Sequence, residues 1–344
     1  MATLKVCLVQ FLNGFKDSLY GFIKFIQKQK KLTTTLTSQE ANKKSNKPNK
    51  DNILKQNDKL YKRLFQSCIL NGIFLFSCIC TFNYVLIPVL NAIAFKVINV
   101  SNHDLIHNYL NPTIQIIFSS VWILPVFLLS KIFNVLCHQE IADISYEQKY
   151  GKPKIFETFS ISQVIADAFF SCTMELIFLI QSSCMGLIPA TWLNTLLCHV
   201  HTSFLYSLYA FEYKLCNMSW DIRKRIHHIE SRWPYYLGFG MSMSLILSFA
   251  GSYIYSATLF GFIFPAFILS AIESDSEKLQ PVMYLKRDLN SPSEFKPQQL
   301  TIPLFNLSIY ITDLLFKFFT SKPNKKVSEV NKPVQQTFTI RKTN

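Results

Sequence analysis

Four long stretches of this chain contain no charged residue, and they limit its fold more than any other feature. Leu64–Phe95 runs for 32 positions, Leu105–Ser130 follows, Leu176–Phe211 is the third, and Trp233–Ile272 runs for 40. A helix rises 1.5 Å per residue, so 32 residues reach about 48 Å, more than the ~30 Å hydrocarbon core of a bilayer. Across the 344 residues 49% are hydrophobic and only 16% are charged, with 31 Phe and 15 Tyr. Soluble domains average about 25% charged residues. The composition therefore predicts a membrane protein.

Charge is partitioned along the chain. Of 35 Lys and Arg and 21 Asp and Glu, residues 1–63 hold 14 and 4, residues 317–344 hold 7 and 1, and the apolar middle is close to neutral. A basic balance of this kind suits tails lying beside anionic lipid, and it gives no reason to expect a nucleic-acid partner. The nine Cys lie mostly within apolar stretches, without the turn-rich context of a disulfide framework, and read as reduced.

The apolar runs divide into two kinds. Leu64–Phe95, with Pro88, and 105–137, with Trp122 and Pro125, read as two long transmembrane helices. The third run is interrupted at Gly186–Pro189, giving one helix from Gln163 and a second from about Ala190 to Tyr213. The fourth turns around Ser248, Gly251 and Ser252, leaving two helices of about 18 residues, each reaching ~27 Å. These are helical hairpins that enter a bilayer and return. The whole 64–272 segment is the expected membrane domain.

Both ends are amphipathic. On a helical wheel Lys5, Gln10, Asn13, Lys16, Asp17, Lys24 and Gln27 share one sector, and Leu4, Leu8, Phe11, Leu12, Phe15, Leu19, Phe22, Phe25 and Ile26 share the other. Residues 1–27 should lie in the interface plane, with packing on the protein itself as the alternative. Residues 28–63, rich in Lys, Asn, Thr, Ser and Gln, read as a disordered linker. A cytosolic connector is expected over 273–299, a second amphipathic helix lying at the membrane interface over 300–319, and a basic disordered tail over 320–344. The fold class is thus all-α.

Lys and Arg set the topology. The loops at 131–160 and 214–232 carry 4 and 5 of them, and 96–112 carries only Lys96. The first loop is then lumenal, and the other two lie in the cytosol with both termini. Asn99-Val100-Ser101 falls in the lumen and Asn217-Met218-Ser219 in the cytosol.

The chain holds no Gly-rich phosphate loop, metal-ligand array or nucleophile elbow, so no enzymatic activity and no cofactor are expected. Cys198-His199-Val200-His201 lacks a second pair of ligands at metal-site spacing. Glu175 is the acid placed deepest in an apolar helix. Either it serves function, or it is neutral or bonded to a neighbouring Ser, His or Tyr.

Several blocks closely resemble the etoposide-induced, autophagy-associated transmembrane proteins of the endoplasmic reticulum. They are Pro125–Lys131, Gln139-Glu140-Ile141-Ala142-Asp143, Leu205–Tyr213, Trp233-Pro234-Tyr235-Tyr236-Leu237-Gly238-Phe239-Gly240 and Leu259–Pro265. The resemblance covers residues 4–27 and 62–273. It implies a multi-pass endoplasmic reticulum protein needed for autophagosome maturation and degradation, linked in animals to growth suppression and apoptosis. Its partners would be the bilayer and other autophagy or endoplasmic reticulum membrane proteins. Asp143, Trp233, Pro234, Tyr235, Tyr236, Gly238 and Gly240 become candidate functional residues beside Glu175. Arg341-Lys342 resembles a dibasic retrieval signal. More distantly the chain is similar to bacterial sulfate permeases, which keeps an anion or small-solute transporter as the rival function.

Overall fold

The computed structural model describes residues 2–40, 47–69, 137–153, 161–185, 191–251, 253–287 and 295–320, with Pro189 and scattered positions between 77 and 93. Of the expected span 64–95 only 64–69 and nine scattered positions are described, and of 105–137 only Cys137; Asn99, Arg341, Lys342 and the tail beyond Thr320 lie outside the described residues. Among the described residues no helix is long and apolar enough to cross a membrane.

The chain is mostly helical. In order come α1 (Ala2–Glu40), α2 (Lys47–Cys68), α3 (137–150), α4 (Ile161–Met185), α5 (Thr191–Asn217), α6 (Ile222–Ser231), α7 (Trp233–Ser248) and α8 (Tyr253–Glu273). A 3₁₀ turn (Ser276–Lys278), strands β1 (Met283–Arg287) and β2 (Phe295–Gln299), and α9 (Asn306–Thr320) complete it. The strands pair antiparallel, Met283 opposite Gln299 and Arg287 opposite Phe295. The connector thus contains a β-hairpin, which amends the all-α expectation.

Local sequence explains most boundaries. Asp221 caps α6 by accepting the Lys224 N–H at 3.3 Å. Pro234 sits in the first turn of α7, where its missing N–H costs nothing. Past Ser248 the chain turns through Gly251 at φ +65°, a conformation that glycine adopts without the penalty of a Cβ. Two pairs of helices stand where hairpins are expected: α4 ends at Met185 and α5 begins at Thr191, and α7 and α8 are separated by four residues.

The bundle is organised around α7, which lies between α1 and α5. These helices approach until backbones touch. A Cβ added to Gly14 of α1 would stand 2.0 Å from the Tyr235 carbonyl oxygen, and one added to Gly238 would stand 2.0 Å from that of Phe11. On the opposite face a Cβ at Gly240 would lie 1.8 Å from the Ser203 carbonyl oxygen. Gly21 presses on Ser270 of α8 in the same way. The main core fills in around these contacts with Phe204, Leu208, Phe211, Tyr235, Tyr236, Phe239, Met243, Phe267 and Ile268.

This arrangement bears on the expectation that residues 1–27 lie in the interface plane: α1 packs on the protein itself, the alternative weighed for it. Its stripe of Gln10, Gly14, Ser18, Gly21 and Phe25 is buried, while Leu4, Leu8, Leu12 and Leu19 are exposed. Two residues of its expected polar face meet protein: Gln10 donates to the Gln280 carbonyl at 3.0 Å, and Asp17 accepts from the Tyr235 hydroxyl at 2.9 Å. Apolar–polar sorting on a wheel misses this because close helix packing selects small residues.

The disordered-linker expectation also fails where the chain is described. Residues 28–40 continue α1, and 47–63 belong to α2. Their polar side chains find partners on α3. Gln29 bonds Gln148, Gln148 donates to Asn57 at 2.8 Å, Gln56 donates to Glu147 at 3.0 Å, and Lys59 and Arg63 clasp Glu140 at 2.7 and 2.5 Å. Leu60 anchors them in a second apolar cluster with Phe25, Ile141, Ile144 and Leu269. Tertiary pairing outweighs composition here.

The glycine contacts lead to a direct expectation. Gly238→Ala forces α1 and α7 apart, and overpacking of this kind costs about 1–3 kcal/mol. Thermal unfolding of the purified protein should begin at lower temperature, whereas Asn13→Ala, at an exposed position of α1, should shift it less. Equal shifts for the two variants would contradict the close crossing.

Candidate functional site

The residues singled out from sequence converge only in part, and the structure adds a group of buried charges beside them. This group lies where α3, the end of α5, α6 and the segment after α8 meet. Lys214, on the last turns of α5, is fully buried. Its ammonium donates to the Ser274 carbonyl at 2.6 Å and pairs with Glu277 at 2.7 Å. Tyr150 donates to the same Glu277 carboxylate at 3.0 Å. Lys149 reaches the terminal carbonyls of α8, Ile272 and Ser274 each at 3.1 Å, where a cation meets the negative end of the helix dipole.

Burial pulls the Lys214 ammonium down to about 8, although Glu277 opposes the change. Burial alone would raise Glu277, but the charge and hydrogen bond of Lys214 outweigh it and hold the carboxyl below its usual range. Burial also raises Asp143, against the amides of Asn217 and Gln139 that donate to it at 2.8 and 2.7 Å.

A second buried cation lies nearby. Arg225 of α6 is 2% exposed and bonds Asp167 of α4, Glu212 of α5 at 3.3 Å and the Trp220 carbonyl at 2.9 Å. Ser171 bonds the same Glu212 oxygen. One residue thereby ties three helices. Glu230 accepts the Phe305 N–H at 3.0 Å and fixes the return of the chain into α9. Beside this group a cleft of about 430 Å³ opens among Asp167, Phe170, Trp220, Ile222, Arg223 and Phe316.

The candidate residues can now be placed. Trp233 and Pro234 begin α7. Tyr235 holds α1 through Asp17. Tyr236 is fully buried, and its carbonyl accepts from Ser207 at 2.5 Å. Gly238 and Gly240 are the points of backbone approach. Asp143 secures Asn217 at the end of α5. Glu175 stands apart, buried on the inward face of α4 within electrostatic reach of Tyr209 and Tyr213. His199 bonds Ser244 at 2.8 Å, and His201 stacks on Phe178 with centroids 4.1 Å apart. Among the described residues no three His, Cys, Asp or Glu side chains gather as metal ligands.

Sequence reasoning missed Lys214 and Arg225, because it counted them only as loop charges that set topology, and it missed Tyr150 and Glu277, which no local pattern marks. Asn217 is fully buried against Asp143, so in the folded chain its side chain is not open to a glycosylating enzyme. As a group these side chains pair with one another and fix helix positions.

His228 gives this junction a pH dependence. Its ring meets Trp220 at 4.9 Å and Tyr236 at 6.0 Å, and burial and then the Arg232 charge lower it from 6.5 to about 3. The unfolded chain takes up this proton first, so the stability is present above about pH 6.5 and is lost as pH falls toward 3. Chemical denaturation across that window should show a shallower acid loss in His228→Phe than in the native chain. Identical slopes would contradict the assignment.

Three relatives share parts of this chain. The Ectopic P granules protein 4 of Caenorhabditis elegans is 26% identical over 151 residues, 44% of this chain and 47% of that protein, so the chain spans about half its length. Protein EI24 homolog of Dictyostelium discoideum is 24% identical over 269 residues, 78% of this chain and 79% of its own. A protein of the same name from Arabidopsis thaliana is 29% identical over 115 residues, 33% of this chain and 35% of its own. No solved structure matches. The family described as Sulfate transporter CysZ/Etoposide-induced protein 2.4 matches residues 60–272, from α2 to the last turn of α8 and through most of the buried junction. The chain belongs to that family.

Proposed function

We propose that this chain is a non-enzymatic scaffold of the endoplasmic reticulum membrane acting in autophagosome maturation and degradation, with growth suppression and apoptosis as linked outcomes. The observation that carries this reading is the junction of Lys214, Glu277 and Arg225. Its charges are spent on each other, which suits a rigid body that presents surfaces to membrane and partners. Family membership supports it. So does the nematode relative, whose name refers to ectopic P granules.

The membrane supplies one partner, and other endoplasmic reticulum or autophagy membrane proteins supply the rest. Lys5, Lys16 and Lys24 of α1 stay exposed while α1 runs beside α7. The hairpin of α7 and α8 therefore sits no deeper than those lysines reach by snorkelling to the headgroups.

The rival reading, transport of an anion or small solute, draws on the sulfate transporter in the family's description. A transported anion needs an available cation along its path. Lys214 and Arg225, the buried cations nearest such a role, are already paired with carboxylates. Cells lacking the protein should accumulate autophagosomes that are not cleared, and the full chain should restore clearance. Restored clearance without anion flux in liposomes favours the scaffold; flux with unaffected clearance favours transport.

Topology has its own test. Tags at both ends should be reached by antibody after the plasma membrane alone is opened. A C-terminal tag protected until the endoplasmic reticulum membrane is opened would overturn the cytosolic placement of α9.

A further inference from the structure

At 100° per residue the fifteen positions of α9 divide into three arcs instead of two. The first faces the protein. Ser308 and Thr312 are fully buried, Ser308 donates to Gln181 of α4 at 3.3 Å, and Phe316 meets the rings of Phe169 and Phe170 at 5.9 and 5.3 Å. The second is polar, with Asn306, Tyr310, Asp313 and Lys317, and Arg223 holds Asp313 with two bonds of 2.9 and 3.0 Å. The third is apolar and uncovered: Leu307 is 53% exposed, Leu314 56% and Phe318 76%, with Ile311 beside them.

The protein face carries Ser308 and Thr312 beside Ile309 and Phe316, while Leu307, Leu314 and Phe318 turn away from the body. A helix held only by its own protein would turn these three inward as well, since removing apolar surface from water is what stabilises such packing. A helix wholly immersed in lipid would not carry Asp313 and Lys317 in open view. Three arcs fit a helix lying where protein, water and hydrocarbon meet. The sequence that follows adds charge: residues 317–344 hold seven Lys and Arg against the single acid Glu329.

We propose that Leu307, Ile311, Leu314 and Phe318 dock α9 into the headgroup–acyl boundary of an anionic leaflet, with Lys317 against the lipid phosphates. Helices of this kind bind through buried apolar area together with attraction to anionic lipid. The Arg223–Asp313 pair sets the rotation of α9, so that the apolar arc and not the polar one meets the bilayer.

The inference rests on the membrane reading above, and one experiment separates them. The full chain is placed in nanodiscs of mixed phosphatidylserine and phosphatidylcholine, carrying photoreactive benzoylphenylalanine at Leu314 in one variant and at Tyr310 in another. Both positions are exposed, so neither change disturbs the core. Irradiation should attach lipid to the Leu314 variant several-fold more than to the Tyr310 variant, and yield should fall several-fold in phosphatidylcholine alone. A crosslink from Leu314 to a second copy of the chain, or equal lipid yield at both positions, would overturn the docking. Yields that do not depend on phosphatidylserine would overturn the preference for a charged leaflet. A chain that never enters nanodiscs contradicts the membrane reading itself.

Discussion

Backbone meeting backbone at Gly14, Gly238 and Gly240 is the contact on which the rest of this structure depends. With no Cβ at these places, α1 and α5 come against opposite faces of α7 closely enough for side chains of one helix to bond the backbone of the next, as Ser207 does with the Tyr236 carbonyl. Dispersion grows with such proximity, and it operates equally well in lipid, where the hydrophobic effect between helices is absent. The Trp233–Gly240 block therefore reads as the spine of the fold. Its aromatic members fill the layers beside each glycine: Phe211 lies 4.9 Å from Tyr236 and 4.7 Å from Phe239.

Once the helices are that close, the charges at their ends must be settled internally. Taking an ion out of water costs several kcal/mol, and breaking a buried pair by removing one partner costs about 3–5 kcal/mol. Lys214 with Glu277, and Arg225 with Asp167 and Glu212, answer that cost by joining segments remote in sequence. Lys149 does the same for the end of α8. Most of the junction lies within residues 60–272, the segment shared with the family, and Ser274 and Glu277 lie just past it.

Much of this was legible in the sequence, and the failures share a cause. Helix breaks at Gly186–Pro189 and around Gly251 are local properties of the chain, and both appear where expected. The stripe of Asn306, Tyr310, Asp313 and Lys317 was legible too. Which face of α1 is buried was not, because periodicity reports polarity while close packing responds to size. Gly14, Ser18 and Gly21 carry no apolar signal. Residues 28–63 read as unstructured because Gln29, Asn57, Lys59 and Arg63 look solvated until α3 supplies their partners. Lys214 and Glu277 are 63 positions apart, and nothing local marks them as a pair.

The account stands or falls on whether α1 is part of the helical body. Amide hydrogen exchange on the full chain in a native-like bilayer tests this most directly. Residues 10–26 of α1 should exchange as slowly as 235–247 of α7, since the two would open only together. Fast exchange along α1 beside slow exchange along α7 would contradict the account, returning α1 to the membrane surface and leaving Gly238 without its contact.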